Sequence, residues 1–306
     1  MSTQGERSEP WNIKKQQKSN IMNLEGRRTS SNVEDRRRVS GGTIAGVGIG
    51  GTLIVVLLSL FLGRNPQDVL QQIGQQNVTT TENQREFTAE EQELAEFASK
   101  ILASTEDVWT EVFKSMGRTY RAPKMVLYTD AVQSGCGNAT SAVGPFYCSA
   151  DECLYIDLSF FSTMKQQLGA DGDFAYAYVI AHEVGHHVQH LLGTLDQAHA
   201  QMSRTSEANA NKISVRIELQ ADFYAGVWGY YENKTFKSLD DGDLREAIDC
   251  AAVIGDDYLQ KKATGGFNPE SFTHGTSDQR MKWLKLGLTT GDMSKGNTFN
   301  IPESQL

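Results

Sequence analysis

The chain has 306 residues, 39% of them hydrophobic and 22% charged, an ordinary composition for one substantial globular domain with appendages. Residues 1–42 hold nine Lys/Arg against five acids, a net +4, so with −9 for the whole chain residues 43–306 carry −13. An acidic body of this kind argues against nucleic acid as a partner, because phosphate binding needs Lys/Arg to displace counterions.

Residues 1–42 are polar and basic, the composition of a disordered tail. From Arg38 to Arg64 no charged residue intervenes, and Ile44–Leu62 reads IAGVGIGGTLIVVLLSLFL. At ~1.5 Å rise per residue that stretch just spans a ~30 Å hydrocarbon layer, so residues 43–63 are expected to form a transmembrane helix in a lipid bilayer. A 42-residue leader is long for a cleaved signal peptide and no A-x-A-like site follows Leu62, which favours an uncleaved anchor. Nine basic residues before the span against Arg64 shortly after it orient the tail to the cytoplasm and everything beyond Gly63 to the other side. Gly46, Gly48 and Gly51 match GxGxxG, but without a preceding strand they make no dinucleotide site. Gly42, Gly46 and Gly50 repeat every four residues, a spacing that lets membrane helices associate closely.

Residues 64–86 are Gln/Asn/Thr-rich and read as a linker. The folded domain is expected over 87–306. Thr88 and Glu91 form a capping box for a helix to about Ala103, and Val108, Trp109, Val112, Phe113 and Met116 mark a second helix. Strand-like segments follow at Met125–Tyr128, Phe146–Cys148 and Leu154–Leu158. Further helices are expected at Asp173–Leu192, Ser206–Glu232, Asp243–Lys262 and Ser277–Leu288. The fold class is α+β, mostly helical, with a small antiparallel sheet. All four cysteines fall after the span, where disulfides persist; of three possible connectivities the expected one is Cys136–Cys148 with Cys153–Cys250, with Cys148–Cys153 as the alternative.

The chemistry concentrates in AYVIAHEVGHHVQHLLG. His182 and His186, four apart on a helix, lie on one face and can converge on one ion. Glu183 beside them can take a proton from a water that the metal activates. Gly185 leaves room for close packing or metal approach. His187 and His190 repeat the spacing out of register, since His187 cannot replace Glu183 as a carboxylate base. A catalytic zinc needs a third protein ligand. Position 192 is Leu, which excludes the metzincin histidine. On the next long helix Glu218 can complete a His2Glu set, and Asp222 one turn later can fix a ligating histidine's tautomer. His199 and Asp278 are the rival third ligands. The reaction these groups suit is Zn²⁺-assisted hydrolysis of a peptide bond; a non-catalytic tethered zinc protein and a hydrolase of other amides are the alternatives.

Several stretches resemble the bacterial neutral zinc metallopeptidase family: NVEDRRR, GCG and GPFYC, LYIDLSFF, LGADGDFAYAYVIAHEVGHHVQ, SVRIELQADFYAGVWG, GDLREAIDCAAVIGDD and SFTHGTSDQR. The resemblance implies a single-span protein of the bacterial inner membrane with a zincin-like, gluzincin-type domain on the periplasmic side. It also implies His182, His186 and Glu218 as zinc ligands and Glu183 as base. It draws attention to His274 and Arg280 in FTHGTSDQR, similar to a segment near the active site of membrane-embedded peptidases, where a histidine can donate to the oxyanion. Phe146–Leu158 resembles the hairpin that receives an extended polypeptide substrate as an added strand.

Overall fold

The computed structural model describes residues 22–38 and 86–306. The expected transmembrane segment 43–63, the linker up to residue 85 and the Gly42/Gly46/Gly50 face lie outside the described residues. Among the described residues, no helix is long and apolar enough to cross a membrane.

Strand β1 (Val33–Asp35) precedes helix α1 (Ala89–Ser115). Strands β2 (Lys124–Tyr128), β3 (Ala131–Ser134), β4 (Gly137–Thr140), β5 (Phe146–Cys148) and β6 (Cys153–Asp157) follow. The rest is helical: α2 (Ser159–Thr163), α3 (Asp173–Leu192), α4 (Thr194–Met202), α5 (Glu207–Phe236), α6 (Asp241–Val253), α7 (Asp256–Thr264) and α8 (Ser277–Thr290). The class is α+β and mostly helical, as expected.

The capping box of Thr88 and Glu91 starts α1, but the two helices expected there are one. The polar residues that suggest a break are interior sites: Ser104 accepts from the Trp228 indole and donates to Glu232. Conversely the helix expected over 243–262 breaks at Gly255, whose backbone packs against Ser277. Ser277 donates to the Ala252 carbonyl and to Asp257 on either side of the break.

The sheet has the order β1-β2-β6-β5. It is mixed, not antiparallel as expected: β1, β2 and β6 run parallel and β5 alone runs against β6. The β3–β4 hairpin and β5 supply the crossover that a parallel pair requires. Side chains alternate across the sheet. Met125, Leu127, Leu154 and Ile156 enter the main core with the helices, while Val126, Tyr128, Cys153 and Tyr155 form a second cluster under β3 and β4.

Two further expectations are corrected. Residues 22–38, assigned with the rest of 1–42 to a disordered tail, form an ordered strap: Met22 is buried in the main core and Val33–Asp35 pair with Met125–Leu127. Arg27 and Arg28 are neutralised by Glu232, Glu106 and Asp107 of the domain, which composition alone does not reveal, while Arg36 and Arg37 pair with Glu34 and Asp35 of the strap itself. Cys136 and Cys148 are bonded, but Cys153 and Cys250 are free. Cys153 faces the cluster on one side of the sheet and Cys250 the main core on the other, so they cannot meet.

Candidate metal centre

Helix α3 is apolar nearly all round and ends where Gly193 adopts a left-handed conformation, φ 80°. Its neighbour in the core is α5. Across that contact His182 and His186 from α3 meet Glu218 from α5, with their ligand atoms all within 4.8 Å of one another. The His182 Nε2–Glu218 Oε2 separation is 3.1 Å and His186 Nε2–Glu218 Oε1 is 3.5 Å. Ligands about 2.0–2.1 Å from a tetrahedral zinc stand roughly 3.3 Å apart, so the two nitrogen–oxygen separations fit that ion, as does the nitrogen and oxygen chemistry of the donor set.

Both imidazoles are held from behind. His182 Nδ1 lies 2.8 Å from Asp222 Oδ1, which leaves Nε2 for the site. Asp222 also accepts from the Tyr178 hydroxyl at 2.6 Å and from Arg280 Nε and Nη2, both at 2.9 Å. His186 Nδ1 lies 2.9 Å from Gln189 Oε1. The Gln189 amide nitrogen donates to Ile217 O and Gln220 Oε1, so its oxygen is the end turned to His186. Each histidine is thus oriented with Nε2 toward Glu218, the nitrogen whose lone pair a metal would take on displacing any proton there.

The electrostatics favour a cation. Burial disfavours a charged His182, yet Asp222 and Glu218 overcome it and raise the imidazole to about 10. Burial, helped by His182 and opposed by Glu218, pushes His186 down to about 4. Burial would raise Glu218, but His186, His274 and His182 hold its carboxyl well below the usual range. Arg280 and His182 likewise outweigh burial at Asp222. Glu183 moves the other way, pushed up by burial to about 7.

His274 lines the same cleft as Glu183 and Glu218. Behind it Asp256 is fully buried; its Oδ2 accepts the backbone N–H groups of Thr273, His274 and Gly275 at 2.7, 2.7 and 3.1 Å. Its Oδ1 lies 3.4 Å from His274 Nδ1. Arg280, as expected, lies nearby: it comes from α8, lines the same cleft as His274 and pairs with Asp222.

The remaining candidates stay out of the cluster. His187 is buried with Nε2 against the Arg121 carbonyl at 2.6 Å and Nδ1 against the Tyr147 hydroxyl at 2.9 Å. His190 faces Glu152 and Asp196. His199 lines the cleft, but the metal-sized group among the described residues consists of His182, His186 and Glu218 without it or Asp278. Three supporting residues escape sequence reading: Gln189, Tyr178 and Asp256. Gln189 leaves a usable trace, since it follows His186 by three positions and therefore shares its helix face. Asp256 leaves none, because its partners lie 17 to 19 residues downstream.

The cleft is about 1500 Å³, with Phe146 and Tyr147 of β5 on one wall and Met202 and Phe267 among its apolar lining. Strand β5 is the sheet's edge among the described residues, bonded on one side to β6. The Cys136–Cys148 bond ties its end to the turn between β3 and β4.

Comparison with known proteins agrees with the site. Over 284 residues the chain is 48% identical to "Uncharacterized protein YpfJ" of Escherichia coli K12, an alignment spanning 91% of this chain and 99% of that one. Over 202 residues it is 43% identical to "Uncharacterized protein Rv2575" of Mycobacterium tuberculosis H37Rv, spanning 63% of this chain and 67% of that one. No solved structure matches the chain. The model of one protein family, described as "Putative neutral zinc metallopeptidase", matches residues 22–299, and the chain belongs to that family.

Proposed function

We propose that the chain is a zinc-dependent endopeptidase of zincin-like organisation, anchored to a lipid bilayer through residues 43–63. The observation that carries the reading is the convergence of His182, His186 and Glu218 beside the carboxyl of Glu183, in a cleft also lined by β5, the sheet's edge among the described residues. Zn²⁺ held there supplies Lewis acidity, polarising a carbonyl and making a water easier to deprotonate. Glu183, raised to about 7 by burial, is matched to accept a proton on its carboxylate oxygen near neutral pH and release it to the departing amine. His274, which Glu218 and Asp256 keep above the usual imidazole value against the opposing effect of burial, donates from its ring to the oxygen on which charge develops. An extended polypeptide adds to the free edge of β5, with Phe146 and Tyr147 contacting alternate side chains. The Cys136–Cys148 bond supports a site that works in an oxidising compartment.

The test is to purify the full chain and the Glu183→Gln variant, and to measure bound zinc and cleavage of unfolded casein. Wild type is expected to cut and the variant to keep its zinc while losing about 10²–10⁴-fold in rate. Wild type that holds zinc and cuts no polypeptide overturns the peptidase reading in favour of a non-catalytic zinc protein.

A further inference from the structure

The strap of residues 22–38 bears on how the chain meets a membrane. A single crossing by residues 43–63 puts residues 22–38 and the metallopeptidase domain on opposite faces, about 30 Å apart. In the structure they are in contact along the whole strap. Arg27 forms an ion pair with Glu232 at 2.9 Å, and that carboxylate is fully buried. Arg28 pairs with Glu106 at 2.9 Å and Asp107 at 2.6 Å. Ser30 and Asn32 both donate to Glu106 Oε1, at 2.6 and 2.7 Å. β1 then completes the sheet beside β2. Removing the strap leaves Glu232 buried without a cation, a large cost.

The two ends of the chain segment 39–86 also meet. The Arg37 guanidinium lies 4.0 Å above the Phe87 ring and donates to the Glu91 carbonyl at 2.9 Å, and Arg38 lies 5.1 Å from the same ring. A chain that leaves and rejoins a domain at one place crosses a bilayer an even number of times. The sequence offers one apolar stretch between those ends, and the rest carries Arg64, Asp68, Glu82, Arg85 and Glu86, too polar for a second span. The charge bias that orients a single span is weakened as well, because Arg27, Arg28, Arg36 and Arg37 are engaged by carboxylates.

We infer that residues 22–38 and the metallopeptidase domain lie on the same face of the bilayer. This rests on the proposed membrane anchor, and the experiment separates the two. Glu25→Cys in the strap and Glu111→Cys in α1, both at exposed positions, are expressed singly in the full chain. The native cysteines are bonded or buried, so the unsubstituted chain gives the background. Membranes are first washed with alkaline carbonate; retention is expected, and release overturns the anchor and this inference with it. Intact spheroplasts are then treated with a membrane-impermeant maleimide before and after lysis. The two cysteines are expected to label in parallel, both before lysis or both only after it. One labelling before lysis and the other only after overturns the inference while leaving the anchor standing. As a second measurement, Arg27→Glu and Glu232→Arg are each expected to lower the thermal midpoint in native membranes, and the double variant to recover most of the loss. Additive losses in the double variant overturn it.

Discussion

Gly185 of α3 lies so close to α5 that a Cβ on it would sit 2.9 Å from the Ala221 carbonyl oxygen and 3.1 Å from the Ala221 Cα. The glycine inside the histidine motif therefore serves helix packing, and the approach it permits sets Glu218 opposite the two imidazoles. Gly185→Ala is expected to push the helices apart and weaken zinc binding by about tenfold or more, from an overpacking strain of roughly 1–3 kcal/mol. Zinc competition against a chromogenic chelator checks this, with circular dichroism as the control for folding. Unchanged affinity in a folded variant would remove Gly185 from any role in the ligand geometry.

Gln189 holds His186 as Asp222 holds His182. Gln189→Leu removes the acceptor for His186 Nδ1 while keeping a helix-compatible side chain, and is expected to weaken zinc binding about 10–100-fold. His187→Gln is the contrast: both its ring nitrogens face Tyr147 and Arg121, so zinc affinity should stay within about twofold of wild type. Equal losses in the two variants would mean that general disruption of α3, not orientation of His186, weakens the metal.

His182, Glu183, His186 and Glu218 are legible in the sequence because ligand spacing on a helix is local and the carboxylate helix repeats the same logic. The bounds of α3 are legible too, since Gly193 supplies a left-handed stop. What escapes is whatever depends on distant partners. Ser104 and Glu106 look like surface residues until Trp228, Ser30 and Asn32 are placed against them. Parallel pairing of β2 with β6 has no signature in either strand, and Cys153 and Cys250 gave no sign of facing opposite sides of a sheet. The strap fails for the same reason: Arg27 and Arg28 count as free charge until Glu232, Glu106 and Asp107 meet them.

Asp256 should matter to rate more than to metal. Its carboxylate gathers three backbone N–H groups of the 273–275 loop and faces His274 Nδ1. His274→Ala is expected to lower kcat on casein about 10²–10³-fold, the usual loss for one oxyanion donor. Asp256→Asn should lower kcat in the same direction while leaving KM and zinc content near wild type. Loss of zinc in either variant would show that this loop supports the ligands and not the reacting oxygen.

The pH dependence of stability should carry a contribution from the start of α3. Glu246 of α6 is pushed up to about 7, first by burial and then by Asp243, Asp173 and Asp171, against the Phe174 N–H donating to it at 3.3 Å. An acid whose folded value exceeds its unfolded value of about 4.3 keeps its proton longer in the folded state. Its stabilising contribution is therefore complete below the unfolded value and disappears as pH rises through about 7. Glu246→Gln removes that titration and leaves an acceptor for Phe174. Its thermal midpoint relative to wild type is expected to rise between pH 5 and pH 8. Asp173 and Asp243 are raised in the same direction, so the difference between the two proteins, not the wild-type profile alone, isolates Glu246. A difference that stays constant from pH 5 to pH 8 would show that Glu246 ionises in the folded chain as it does in the unfolded one.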